Sequence, residues 1–428
     1  MSMPGRGFSM VVLAVAALAA TTQLFADTKV FTNARVATQT TAGTLEAATV
    51  VVTDGKVVYA GAEADAPQFS DAETLDANGR WLTPGLIASN TQLGIVEISA
   101  EASSADARVV DFRMGPAFDV RYALNPSSIL MGTSRAAGIT SAVVAPQIGN
   151  DLFAGLGAAI RLTETLDPAN SLISSELAMF ASITSRPAGM VGGSRSALLV
   201  RLRNALTQAK RYSAGRYSAD DHGYSGADMA ALKRWLASGK PLAVEANQAA
   251  QILQAIALAR DFKFPLVITG GVEAWKVATQ LAAAEVPVVL DPLNNIPVDF
   301  DALGARLDNA SLLHKAGVEI VFVSENSHNL GWIRQGGGVA VANGLPWDAA
   351  LAALTSAPAR IWGLAGRGRI ERGAIADLVL WSGDPLEVTT HAERVMIEGK
   401  WVSTDNRQER LLERYRDLSN TVTPYGYR

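Results

Sequence analysis

The chain has 428 residues, no cysteine and only four histidines. The first absence excludes disulfides, thiolate metal sites and a lipid-modified N-terminal cysteine. The second leaves few imidazoles for a transition-metal centre. Excess charge is also missing: a net charge of -4 and a pI near 5.7 give no reason to expect nucleic acid or an anionic membrane surface as a partner. No stretch reads as a disordered tail or a low-complexity linker. The apolar run Met10 to Ala20 falls short of the roughly 20 residues of a comfortable membrane span.

That run has another reading. Arg6 precedes it, Thr21-Thr22-Gln23 follows it, and Ala26 stands before Asp27, the layout of a Sec signal peptide over residues 1–26. The expectation is a periplasmic or secreted protein after cleavage. Without disulfides such a protein relies on its core, which 49% hydrophobic residues can supply.

Residues 28 to 80 read as short strands with turns, and Asp54-Gly55 between two β-rich runs is a hairpin signal. A matching β-rich piece returns over Gly368 to Trp381 and Val395 to Val402. Both ends are expected to build one small β-sandwich beside a central domain. Between them, apolar runs such as Ile139–Val144, Pro241–Glu245, Pro265–Thr269, Val286–Leu290 and Val318–Val323 alternate with Ala- and Leu-rich helical stretches. This is the pattern of parallel βα units, which a barrel and a doubly wound sheet share. The basic stretch Arg195 to Arg211 reads as a solvated helix face leading into a Gly/Ser/Tyr loop at 212 to 227. Arg407 to Leu418 reads as a charged helix with Leu411, Leu412, Tyr415 and Leu418 on one stripe, packed on the β-sandwich or a second subunit. Gly149 to Gly157 is glycine-rich but lacks the Lys-Ser/Thr and the spacing of a phosphate cradle.

One segment is more specific than any periodicity. Trp81-Leu82-Thr83-Pro84-Gly85-Leu86-Ile87-Ala88-Ser89-Asn90-Thr91-Gln92-Leu93-Gly94 resembles the opening strand of the amidohydrolase superfamily, TPGLIDxHxHLG. Gly368 to Trp381, Gly383-Asp384-Pro385-Leu386 and Ile397-Glu398-Gly399-Lys400 resemble its closing signature, GxIxxGxxADLVxWxGDPL with VxxGxxV. Ala136–Ser141 resembles AxxxGVTT, and Gly344 to Leu364 resembles GLxxxEALxAxTxNPAxxLGL. The resemblance covers roughly residues 28 to 403 and is strongest to exported, imidazolonepropionase-like members.

The resemblance implies an α/β fold, a TIM-like (β/α)8 barrel with a small β-sandwich built from both chain ends. The boundaries expected are 27–83 for the first part of the sandwich, 84–364 for the barrel, 365–405 for the second part and 406–428 for a helical tail. It also implies hydrolysis of a non-peptide carbon-nitrogen bond by one or two divalent ions such as zinc. Those ions would be held by histidines after strands one, five and six and an aspartate after strand eight. In this chain the first-strand positions are Asn90 and Gln92, the fifth is Glu245, the sixth falls on or next to Gly270, and the eighth is Glu325 or Asn326. Side-chain amides bind transition metals far more weakly than imidazole. The reading is therefore no metal cofactor.

Of the histidines, His222 lies in a polar loop, His314 in a helix and His391 in the terminal β unit, all read as surface or structural. His328 follows the eighth strand, on the face where barrel sites are built, and either lines the pocket or structures its loop. Candidate catalytic groups are Glu245, Glu325 and His328. Candidate binding groups are Asn90, Gln92, Asn326 and, at the rim, Glu97. Two functions compete: a hydrolase acting on a cyclic amide or dipeptide-like substrate, and a catalytically inactive binding protein or partner subunit of an active homologue. The ligand expected is a small amide or amine, and the assembly is a homo-oligomer or a hetero-oligomer with that homologue.

Overall fold

The computed structural model describes residues 27–69, 71–110, 114–213, 223–324 and 327–416. Strands β1 (Thr28–Ala37), β2 (Thr44–Thr53), β3 (Lys56–Ala62), β4 (Glu73–Asp76) and β5 (Trp81–Pro84) come first. The central array then contains β6 (Leu86–Thr91), β7 (Ile139–Val144), β8 (Phe153–Leu156), β9 (Ala158–Arg161), β10 (Leu172–Ser174) and β11 (Met179–Ser182). It continues with β12 (Leu242–Ala246), β13 (Leu266–Gly270), β14 (Val288–Leu290) and β15 (Ile320–Phe322), before β16 (Leu378–Trp381), β17 (Ala392–Ile397) and β18 (Lys400–Val402).

The two chain ends share one eight-stranded sheet, in the order β18-β17-β16-β5-β1-β2-β3 with β4 on β1. The join is the antiparallel pair β16–β5, with Leu378 opposite Pro84 and Leu380 opposite Leu82. Asp54 and Gly55 turn β2 into β3 with φ of 49° and 79°, the double positive φ of a type I′ hairpin.

In the central array, β6 pairs parallel with β7, and β11 to β15 form a parallel run. The strand between them departs from a purely parallel expectation. β8 and β9, separated by Gly157, run antiparallel to β11 and β7. The reason is the connection: residues 145–152 are too few for the crossover of a dozen or more residues that a parallel neighbour needs, so the chain turns straight back. The glycines there serve contact. A Cβ on Gly149 would lie 2.0 Å from the Val109 carbonyl, and one on Gly157 would lie 2.4 Å from the Phe180 ring.

One buried cluster takes Ile87, Val143, Ala159, Phe180, Ala243, Val267, Val289 and Val321 from eight strands of the array and includes Trp362. The indole of Trp362 stacks on Phe180 and donates to Ser89 Oγ at 3.1 Å. At the seam between β15 and β6 the backbone partners are residues 353–354: Phe322 N donates to Ala353 O at 3.1 Å and Ile87 N to Leu354 O at 2.8 Å.

The basic helix Arg195–Arg211 buries Leu198, Leu202 and Leu206, and several of its charges are engaged within the molecule. Arg195 pairs with Asp301 at 2.6 Å, Arg203 pairs with Asp261 at 2.8 Å, and Arg201 lies over the Tyr224 ring. It is not simply a solvated face. The helix Arg407–Arg416 lies against Ile129–Ala136, with Thr133 Oγ1 donating to Gln408 Oε1, and leaves Leu412 and Tyr415 exposed. Leu418 and His222 are outside the described residues.

Candidate functional site

β6 stops pairing regularly where the opening motif ends. Its register with β7 shifts between Ala88 and Thr91, and Asn90 sits at φ 51°, a conformation that asparagine tolerates better than most residues. Gln92 follows at once. Ser327 fixes the loop after β15 against this strand end: its hydroxyl lies 3.2 Å from Thr91 Oγ1, accepts from Gln92 N at 3.1 Å and donates to Gln92 Oε1 at 3.4 Å. The short turn Ser327–Asn329 then carries His328 beside Gln92. Both line a cavity of about 360 Å³ with Arg108, Gln147 and Ser327.

A second polar group sits on the neighbouring strand ends. Ser182, Glu245 and Thr269 are in register across β11, β12 and β13. Burial pushes the Glu245 carboxyl above the ordinary glutamate range, against the downward pull of the Ser182 hydroxyl and the Arg186 charge, while Asp301 and Asp299 push it further up. Burial alone would raise Asp301 as well. The Ser185 amide, the Arg195 guanidinium and Gln251 hold it below the usual range instead.

A folded-state value above the unfolded one means that the protonated acid contributes stability at low pH. That contribution is lost as pH rises through the folded value. Glu245→Gln is therefore expected to remove a fall in stability as pH rises above the ordinary glutamate range, and to gain most over the parent at the upper end of that rise. Thermal midpoints of both proteins across that rise check this, and parallel curves would contradict it.

Beside Glu245, a side chain at position 270 would run into a neighbouring side-chain amide. Gly270 has φ 83°, and a Cβ built on it would lie 2.3 Å from Asn247 Oδ1. The Asn247 backbone is fixed: its N–H donates to Gln251 Oε1 at 2.9 Å and its carbonyl accepts from Glu273 N at 2.8 Å. Its buried Oδ1 has no hydrogen-bond partner among the described residues.

The sequence-predicted residues are thus divided. Gln92 and His328 line one cavity. Asn90, Glu245 and Gly270 lie at the C-terminal ends of β6, β12 and β13 without lining it. Glu97 belongs to a hairpin, donating from its backbone to Ser104 O, and does not line that cavity either. Glu325 and Asn326 are outside the described residues. Sequence reasoning missed Arg108, Gln147 and Asn247. Only Asn247 left a signal, since two residues beyond Glu245 at a strand end returns the chain to the same side.

Known proteins match a C-terminal part of the chain in sequence and its overall path in structure. A profile described as "Amidohydrolase family" matches residues 324–403. Imidazolonepropionases from Acidiphilium cryptum and Rhizorhabdus wittichii are 47% identical over 51 residues and 51% identical over 53. Each match covers 12% of this chain and 13% of the relative, so the chain spans about an eighth of the length of these curated relatives. An amidohydrolase from Thermotoga maritima superposes with TM-score 0.79 at 26% identity, covering 87% of this chain and 99% of that one. The chain belongs to the amidohydrolase superfamily.

The molinate hydrolase structure, at 16% identity and TM-score 0.54, shares the α/β fold over 89% of this chain and 95% of its own. At the superfamily's expected ligand positions among the described residues, only Glu245 offers a strong metal donor. Asn90 and Gln92 offer amides, Gly270 offers nothing, and a neighbouring amide fills the space where its side chain would stand. Among the described residues no three His, Cys, Asp or Glu side chains group closely enough to hold an ion.

Proposed function

We propose that this superfamily member binds a small amide- or amine-bearing molecule at the C-terminal ends of its central strands without a metal-activated water. Two observations carry it: the Asn247 amide, which stands where a sixth-strand ligand would project, and a separate cavity walled by Gln92, Gln147, Ser327 and His328. Amides, hydroxyl and imidazole offer both donors and acceptors, which suits a ligand with N–H and C=O groups. We read the central array as a TIM-like barrel whose last and first strands are bridged by residues 353–354, and the shared terminal sheet as the β-sandwich. Support comes from the single interior cluster and from the second one joining Phe31, Val50 and Leu82 to Leu378 and Met396. The layout of residues 1–26 supports export to the periplasm or beyond.

The likeness to the Thermotoga maritima amidohydrolase over 87% of the chain favours a second reading, a hydrolase of carbon-nitrogen bonds in a cyclic or dipeptide-like amide. Glu245, His328 and Glu325 would then be its acid and base groups, and Asn90, Gln92, Glu97 and Asn326 its binding groups. A partner subunit of an active homologue is the remaining alternative. Elemental analysis after purification without chelator should find well under one equivalent of zinc, manganese or iron. A screen of small amides and dipeptides at two pH values should find a thermal stabilisation that His328→Ala removes. Near-stoichiometric metal lost on mutating His328 or Glu325, or turnover of a screened amide, would establish the hydrolase instead.

A further inference from the structure

The cavity at Gln92 and His328 is not isolated. A larger one of about 930 Å³ opens beside it over Met114, Phe118 and Tyr122, and Ser99, Ala105 and Arg108 line both. The shared wall is held in place: Asp106 N donates to Ile95 O at 2.9 Å, Gln147 N to Ala107 O at 2.8 Å and Asn150 N to Val109 O at 3.2 Å. Gly149 abuts the Val109 carbonyl so closely that no side chain could stand there. Arg108 therefore projects from a fixed backbone, exposed, with no ion pair to any described residue. Among the described residues lining either cavity it supplies the only guanidinium or ammonium group. Of the acids in the outer cavity, Asp119 is paired with Arg121 at 2.9 Å and Asp106 is exposed.

We propose that the two cavities form one cleft for an N-acylated amino acid with a large apolar side chain. Its amide enters the inner chamber, its carboxylate pairs with Arg108 at the threshold and its side chain lies over Met114 and Phe118. This rests on the ligand-binding reading above and adds the carboxylate and the apolar group to it. The other described polar groups of the inner chamber are amides, a hydroxyl and an imidazole, so the guanidinium at its entrance, without an ion pair among the described residues, is what selects an anion.

The test uses the full mature chain and three compounds measured by calorimetry: N-acetylphenylalanine in both enantiomers, N-acetylphenylalaninamide and N-acetylglycine. The first should bind about tenfold or more tighter than either of the others, the scale of one charge-assisted pair or one buried ring. Arg108→Gln should erase the preference over the phenylalaninamide, and Met114→Glu the preference over N-acetylglycine, with thermal midpoints confirming that both variants fold. Equal affinities in the parent, or preferences that survive the substitutions, would overturn the cleft. If N-acetylglycine binds as well as N-acetylphenylalanine and His328→Ala abolishes both, the inner chamber stands and the elongated ligand does not. Binding of none of the three overturns the cleft and leaves the inner chamber to its own amide screen.

Discussion

Gly270→His, which would return an imidazole to the sixth-strand position, is expected to cost about 2–5 kcal/mol of stability and to recruit no metal. Two terms add. The backbone at φ 83° is one that side-chain-bearing residues adopt at a cost of roughly 1–2 kcal/mol. The new Cβ meets Asn247 Oδ1 at 2.3 Å, and overpacking of a filled site typically costs about 1–3 kcal/mol more. Gly270→Ala should already show most of the loss, since the clash begins at Cβ. Adding Asn247→Gly to the histidine variant should recover the packing part and leave the backbone part. Urea denaturation reads the stability and elemental analysis the metal. An unchanged midpoint with stoichiometric zinc would show that the site is an intact metal centre lacking one ligand, and would remove the main support for the binding reading.

The second large effect is remote from the site. Arg367, in the connection before β16, is buried between Asp377 and Glu398, and Arg161 of β9 grips the same Glu398 with Nη1 at 2.8 and 2.9 Å from its two oxygens. Asp377, itself 3% exposed, also accepts from Glu398 N at 2.8 Å. The network ties the central array to the terminal sheet. Arg367→Met should cost about 3–5 kcal/mol, because it removes one member of a buried pair and leaves Asp377 without its cation. Adding Asp377→Leu should recover a large part of that, since an apolar replacement of both partners leaves no stranded charge. A loss under about 1 kcal/mol in the single variant would mean that water reaches Asp377 and that the pair behaves as a surface bridge.

Much of this was legible in one dimension. The Asp54-Gly55 hairpin follows from two residues that accept positive φ, and the runs around Val244, Ile268 and Val321 announce buried strands by composition alone. The loss of imidazoles at positions 90, 92, 245 and 270 is a matter of residue identity, and so it can be read without coordinates. The antiparallel β8–β9 strand was recoverable in principle from the short 145–152 connection. The expectation of parallel βα units passed over it because alternating apolar runs carry no direction.

Other features had no local signature. Arg108, Gln147 and His328 sit on three different loops, and nothing in their neighbours announces that Ser327 bonds to Thr91 or that Val109 nests against Gly149. Asp301 looks like one of several loop acids until Ser185, Arg195 and Gln251 converge on it. Sequence by itself determined the superfamily, the strand ends where a site belongs and the chemistry missing from them, because residue type and short-range pattern are fixed before folding. Only the tertiary structure decided that Asn247 fills the space at Gly270 and that Arg108 faces two cavities at once. Those facts depend on side chains and backbone brought together from distant parts of the chain, and close packing, not local preference, sets which of them meet.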